Sequence, residues 1–490
     1  MSLPGRPARA CVECRVKKVK CDQRVPQCRR CVKKGLKCIG YKTETQLTRH
    51  EPSFVVFNQV TDNLVGAPFS PSLQCTFEEM AIPRFFADYI IPGTVPGVPG
   101  GFLGFLEDIS NPKFATTCLL EALTAASYAS LANQIRDERL KVKARKAYGS
   151  CLALLNQALR TPTEAKKDAT LGAMAIIALY EIIMSEELMG LWDCHYNGRL
   201  LLLKIRGPSQ LKTARGQNLY RGIYFQMQLA YLGKYWYPPV DFSFPEELAT
   251  GSPDRTITKI VDRAAKTCAT GMSMLRDHTQ SPDPSRLRTL LQEVWEIEAL
   301  LLQWRHDASI EWAYQTVFVS HKNRRALPIA FPSWLDEFHV YPMCGHRTAL
   351  IWNLFRSTRI LIHHIAICII LYFETFVSDD HVPPHATHLD VIRTSSDEIC
   401  ASVPFSLGQV NSSGTVKNPQ PRPLGGYFLL WPLHLVRTRC ADDRRKVSFI
   451  NGVLSFINDG LGISHGKRIL DYRMSTPPSA IPLLRQIDSV

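Results

Sequence analysis

Two spaced cysteine triplets in the first 38 residues and, from about Met80 onward, long segments of helical hydrophobic spacing predict a two-part fold: a small metal-stabilised domain followed by a large all-α body. A third observation separates the parts. Residues 1–50 hold 14 Lys/Arg against 3 Asp/Glu, whereas the remaining 440 residues hold 44 against 41, so most of the net charge of +14 lies in the head. A short basic module on a nearly neutral body is expected where only the head meets a polyanion. At 490 residues, 45% apolar and 21% charged, the chain can bury a core, which excludes wholesale disorder and collagen-like or coiled-coil rods.

The head reads Cys11-x2-Cys14-x6-Cys21 and then, 17 residues on, Cys28-x2-Cys31-x6-Cys38. Each half offers a C-x2-C pair able to grip one ion and a third thiolate brought back by a short helix and loop. Three ligands fall one short of tetrahedral zinc. Two closed sites would need eight thiolates, but six suffice if one equivalent cysteine from each half bridges both ions, which predicts a binuclear cluster. Flanking Lys and Arg offset its negative charge and help keep the thiols ionised. Only scattered Val, Leu and Ile accompany the cysteines, so ligation must supply most of the folding free energy, on the order of 10 kcal/mol per structural zinc. A disulfide framework is disfavoured by the odd total of 15 cysteines and by the lack of an apolar signal segment in MSLPGRPARA. Iron–sulfur ligation would use closer spacing, and a redox C-x-x-C would not need the repeat. A reducing compartment, cytosol or nucleus, is expected.

Over Cys11 to Cys38 the sequence resembles the fungal Zn(II)2Cys6 binuclear-cluster transcription factors. Arg15, Lys17, Lys18, Lys20 and Asp22 meet the family pattern C-x2-C-R-x-basic-K-x-basic-C-D, Pro26 stands at its loop proline and Gly35 at its turn glycine. The resemblance implies two Zn2+ ions, with Cys11 and Cys28 bridging, Cys14 and Cys21 completing one shell and Cys31 and Cys38 the other. It implies that the end of the first short helix enters the major groove of double-stranded DNA, where Lys17 and Lys18 read a CGG triplet. The chemistry agrees, because a Lys ammonium donates to guanine O6 and N7. Arg15, Lys20, Arg24, Arg29, Arg30, Lys33, Lys34 and Lys37 are expected to position phosphates, since a charge run alone specifies no base. A nuclear location is expected with this role, and basic clusters such as Lys17-Lys18 suit import.

The head domain is assigned to residues 1–40. Residues 41–78 mix polar residues with Pro52, Pro68 and Pro71 and read as a linker. The body is assigned to 79–475 and a tail to 476–490. Helical spacing is clearest at 114–135, 143–160 and 168–184, with Pro/Gly or polar breaks at 93–101, 281–285, 378–388 and 411–426. No period of 20 to 50 residues recurs, so a regular solenoid is not expected. The stretch 361–373, LIHHIAICIILYF, is too short to span about 30 Å of hydrocarbon and is expected as a buried helix, without membrane insertion. Segments 119–133, 168–181, 192–207 and 425–436 resemble the fungal-specific regulatory domain that often follows this type of cluster. That resemblance completes the fold class, a small Zn2Cys6 domain followed by a large all-α regulatory domain. It implies control of metabolic genes, such as a secondary-metabolite cluster, through a small-molecule effector or partner contacts.

No catalytic residue is assigned. His381, His385 and His388 lie in HVPPHATH, which lacks a helical H-E-x-x-H frame and reads as a polar loop. The glycines at 93–101 lack the Gly-Lys-Ser/Thr of a P-loop. Cys194 and His195 are adjacent, so on a helix they point in different directions and read as packing residues. The aromatic run YLGKYWYPP at 231–239 reads as core, with an effector cavity as the alternative. Residues 39–60 offer no heptads, which leaves a monomer or a homodimer joined through the body. The rival readings are a DNA-tethered enzyme and a zinc-stabilised protein or RNA interaction module.

Overall fold

Helix starts in the body are written into short polar residues. Thr76 and Glu79 form a reciprocal capping box, Glu79 N–H donating to Thr76 Oγ1 and Thr76 N–H to Glu79 Oε2, and α2 (Phe77–Tyr89) follows. Thr76, Phe77 and Glu78 therefore belong to the body and not to the linker 41–78, a start signal that T-x-x-E carries in the sequence. The computed structural model describes residues 14, 19, 21–22, 28–35, 76–91, 101–185, 196–235, 245, 248, 253–277, 281–308, 310–318, 327, 329, 331–342, 345–374, 385–415 and 421–472. They fall into two units, 1–73 and 74–490. The first contains α1 (Arg29–Lys33).

In the second unit α3 (Thr117–Ile135) and α4 (Glu138–Leu159) form an antiparallel hairpin. Arg136 ends α3 in the left-handed region at φ 57°, and the Asp137 carboxylate caps α4 by accepting from Leu140 N–H at 3.0 Å. The buried positions of α4, Leu140, Ala144, Ala147, Cys151 and Leu155, recur every three or four residues. They meet an alanine-rich face of α3 that includes Ala122, Ala125, Ala126 and Ala129. Such small side chains let the helix axes approach closely. After α5 (Pro162–Ala165), α6 (Asp168–Met184) is buried almost all round and packs on α3.

Further along come α7 (Tyr196–Arg206), α8 (Ala214–Lys234), α9 (Pro253–Arg276) and α10 (Pro284–Asp307). A two-stranded antiparallel sheet follows, β1 (Gln315–Phe318) on β2 (Glu337–Val340), with Thr316 opposite His339. This sheet departs from the all-α expectation; four-residue strands leave almost no period in a sequence. The chain closes with α11 (His346–Tyr372), α12 (Ala386–Ser406), α13 (Pro423–Arg439), α14 (Arg444–Asp459) and α15 (His465–Asp471).

The buried helix expected at 361–373 is part of α11. By length and composition α11 could cross a membrane, yet nearly all of it is enclosed by protein. A helix apolar all round is either a core helix or a membrane span, and enclosure decides for the core. Its two inward arginines are satisfied. Arg356 donates to Glu398, Tyr341 Oη, Asn353 Oδ1 and His339 Nδ1 at 2.9–3.0 Å. Arg359 grips Glu298 through Nε and Nη2 at 2.6–3.1 Å. Distant parts of the body are tied together by Asn133 on α3, whose amide donates to Ile183 O at 3.0 Å and Gly462 O at 2.9 Å.

HVPPHATH is not wholly a loop. α12 begins at Ala386, which puts His388 inside the helix, buried, with Nδ1 2.7 Å from Nδ1 of His363 on α11. His385 precedes the helix 3.7 Å from Glu374, and His381 lies outside the described residues. Cys194 and His195 also lie outside them. Tyr231 and Tyr235 of the aromatic run are buried in the core, as the packing reading expects, while 236–239 are outside the described residues.

Two predictions follow from this packing. A Cβ on Gly425 would stand 1.6 Å from the carbonyl oxygen of Ser406, where α13 starts against the end of α12. Gly425→Ala is expected to cost about 3 kcal/mol or more, because backbone must move to admit the methyl group. Thermal unfolding of the full chain checks this, and a melting temperature unchanged by the substitution contradicts the close approach.

Burial, aided by neighbouring charges, lowers His346 to about 4, His388 to about 4, and His434 and His465 to about 3. In the unfolded chain these rings titrate near about 6.5, so below that pH the unfolded state binds more protons. Their stabilising contribution is complete above about pH 6.5 and is lost as pH falls toward 4, at most about 1.4 kcal/mol per pH unit for each ring. Helical ellipticity melts between pH 7 and 4.5 should show a steadily falling melting temperature; a flat profile counts against neutral buried rings.

Candidate metal centre and nucleic-acid interface

The head has no aliphatic core among its described residues. Its buried cluster is Cys14, Cys28 and Cys31, with Val19 and Cys21 packed against it. The Sγ atoms of Cys14 and Cys28 are 3.8 Å apart. A disulfide would hold them at about 2.05 Å, whereas two thiolates on one tetrahedral zinc, each about 2.3 Å from it, stand about 3.8 Å apart. The donor set therefore fits a zinc ion. Ligand atoms of Cys14, Cys28 and Cys31 all lie within 4.8 Å of one another, and so do those of Cys21, Asp22 and Cys28. Cys28 belongs to both groups. Among the described residues no other set of three metal-binding side chains comes this close, so His385 and His388 do not join one.

Local hydrogen bonds orient the cluster. Cys28 is the N-cap of α1, and its Sγ accepts from Cys31 N–H at 3.3 Å, so one sulfur both faces the cluster and starts the helix. The Asp22 carboxylate accepts from Arg29 N–H at 3.0 and 3.2 Å. Asp22 is thus a bracing residue, tying the end of the first half to the helix of the second. The site residues named from the sequence omit it; its place directly after Cys21, with the helix start of the second half ahead, is the available signal. Gly35 closes the helix at φ 63°, a conformation that side-chain-bearing residues rarely adopt, as its reading as a turn glycine requires.

α1 turns Cys31 inward and leaves Arg29, Arg30, Lys33 and Lys34 exposed. These are four of the eight expected phosphate contacts, displayed around a metal-held scaffold. Cys11, Cys38, Lys17, Lys18, Arg15, Lys20, Arg24 and Lys37 lie outside the described residues.

A helix capped by a cluster sulfur, with cations outward, followed by a largely helical body, defines a class. Residues 9–48 match the fungal Zn(2)-Cys(6) binuclear cluster domain and residues 75–228 the fungal specific transcription factor domain. The chain thus carries a match to each of these two domains, and its cluster domain binds two zinc ions. Among characterised proteins it is similar to "Transcription factor dbaG" of Emericella nidulans, at 21% identity over 399 residues, 79% of this chain and 89% of that protein. It is also similar to the "Aspercryptin biosynthesis cluster-specific transcription regulator atnN" of the same organism, at 47% identity over 51 residues, 10% of this chain and 8% of that protein. No solved structure matches the chain.

Metal analysis of the full chain should find two zinc ions. Because Cys28 stands in both ligand groups, Cys28→Ser is expected to lower the content to one or fewer, while Asp22→Asn leaves two. Two zincs retained by the Cys28→Ser protein contradict a shared role for that sulfur.

Proposed function

We propose that the chain is a nuclear regulator of RNA polymerase II transcription that reads CGG-type triplets through its zinc head, while the helical body forms the regulatory half. In this reading Cys11 and Cys28 bridge the two ions, Cys14 and Cys21 complete one shell, and Cys31 and Cys38 complete the other. The observation that carries it is the construction of the head: a thiolate cluster in place of a core, with Arg29, Arg30, Lys33 and Lys34 exposed on the helix that one sulfur starts. A scaffold so small and so basic has little to offer but charge and shape, which suits the phosphate-lined groove of a DNA duplex.

Specificity then has to come from side chains that reach base edges. Lys17 and Lys18 are assigned that role, with Arg15, Lys20, Arg24, Arg29, Arg30, Lys33, Lys34 and Lys37 on phosphates. Control of a metabolic gene cluster is supported by the name of the second relative, whose similarity covers the head. No catalytic step is assigned to the body.

The division of roles is open to measurement. Lys18→Ala is expected to cost about 1 to 3 kcal/mol on a CGG duplex and to relax preference at the guanines. Lys33→Ala is expected to weaken CGG and scrambled duplexes alike and to reduce the slope of log affinity against log salt by about one. Equal losses on both duplexes for both variants would defeat the assignment.

A further inference from the structure

The helical body holds a cavity of about 120 Å³ where α8 faces the starts of α9 and α11 and the segment 101–105. Phe102, Leu103, Phe105, Leu350 and Ile351 give it apolar walls. An apolar cavity of about 150 Å³ in another protein takes up benzene, so the space suits one small ring or a short branched chain.

The polar part comes from α8. Arg221 and Gln228, seven residues apart and thus on one helix face, both line the cavity. Arg221 Nε donates to Gln217 O at 3.3 Å, but Nη1 and Nη2 are shielded from solvent and have no hydrogen-bond partner. Gln228 Nε2 donates to Thr258 O and to Asp262 Oδ1, which leaves its Oε1 buried without a donor. The one carboxylate in the wall, Asp254, is engaged by Arg347. Burial, with Arg255 and Arg347 nearby and Asp254 pulling the other way, lowers Arg221 to about 10, so it still carries its charge at neutral pH. A guanidinium whose Nη1 and Nη2 have no partner costs stability, and a bound carboxylate would satisfy both at once when the side chain turns toward the cavity.

We propose that this cavity binds a small organic carboxylate. Arg221 pairs with its carboxyl group, the Phe102 to Phe105 wall holds its apolar part, and Gln228 Oε1 accepts from a hydroxyl substituent. The site belongs to the helical body and does not rest on CGG reading by the head.

The test uses the full zinc-loaded chain and follows the melting of the body's helical signal with benzoate, 4-hydroxybenzoate and hexanoate, against neutral benzamide and inorganic sulfate. The carboxylates are expected to raise the melting temperature by a few degrees, and benzamide and sulfate are not. Arg221→Met should weaken carboxylate binding about 10- to 100-fold. Without ligand the same variant should melt at or above the parent, because a half-buried guanidinium with no partner for Nη1 and Nη2 is gone. The proposal is overturned if no carboxylate gives a shift, if benzamide or sulfate protects as well as benzoate, or if Arg221→Met keeps the response. An unliganded Arg221→Met protein that melts well below the parent also overturns it, since that result would mean the guanidinium already has a structural partner. Each readout comes from the body, so loss of DNA selectivity in the head would leave it unchanged.

Discussion

Thiolate–zinc ligation is the interaction on which the head depends. Between Cys11 and Cys38 the aliphatic residues are few, and the described ones among them do not assemble a core apart from the cysteines. Cys28 shows how one ligand atom is made to organise backbone. Its sulfur faces Cys14 and Cys21, caps α1 through Cys31 N–H and thereby fixes which side of that helix looks outward. Arg29, Arg30, Lys33 and Lys34 are exposed because Cys31 is pulled in. Ligation, helix start and charge display are thus one event, and a domain of this size has no second source of order to replace it.

The body is built on the opposite principle. Its order comes from burial, and the two inward arginines of α11 are admitted to the core with partners. Arg356 is fully enclosed, yet its donors meet a carboxylate, a phenol, an amide and an imidazole. Burial and the adjacent guanidinium hold His339 at about 2, in keeping with its ring nitrogen accepting from Arg356. Glu298 follows the same logic: burial alone would raise its pKa, but His363 and Arg359 outweigh that and hold it at about 2. Arrangements of this kind contribute little net stability over an apolar core, but leaving one partner alone is strongly unfavourable. Against that background, Arg221, whose Nη1 and Nη2 have no hydrogen-bond partner, departs from Arg356 and Arg359.

Legibility followed the range of the interactions. The cysteine spacing is local and fixed by coordination chemistry, so a zinc cluster could be read directly, while the turn at Gly35 was implied by the family pattern. The long helices were equally plain because their burial period repeats over many turns, as at Leu140, Ala144, Ala147, Cys151 and Leu155. What the sequence hid was set by distant partners. His388 looked like part of a polar Pro loop, and only the approach of His363 from α11 makes it a buried helix residue. The pair β1–β2 is too short to show a period, and β2 is held by α12, which lies far along the chain. Nothing in RGIYFQMQ marks Arg221, since its isolation depends on Asp254 being taken by Arg347.

The two principles also explain how one chain keeps 15 cysteines without confusing their roles. In the body, burial pushes the Cys268 and Cys400 thiols far up and Cys368 up to about 11, and raises Cys440 as well. A thiol held protonated at neutral pH is neither a good metal ligand nor a good nucleophile. In the head the sulfurs of Cys14, Cys28 and Cys31 converge within a few ångströms, a donor set that fits zinc. Zinc is therefore directed to the N-terminus by the spacing and convergence of its sulfurs. The body's cysteines serve as small apolar residues at positions such as Cys151 and Cys268, where the neighbouring helix comes close.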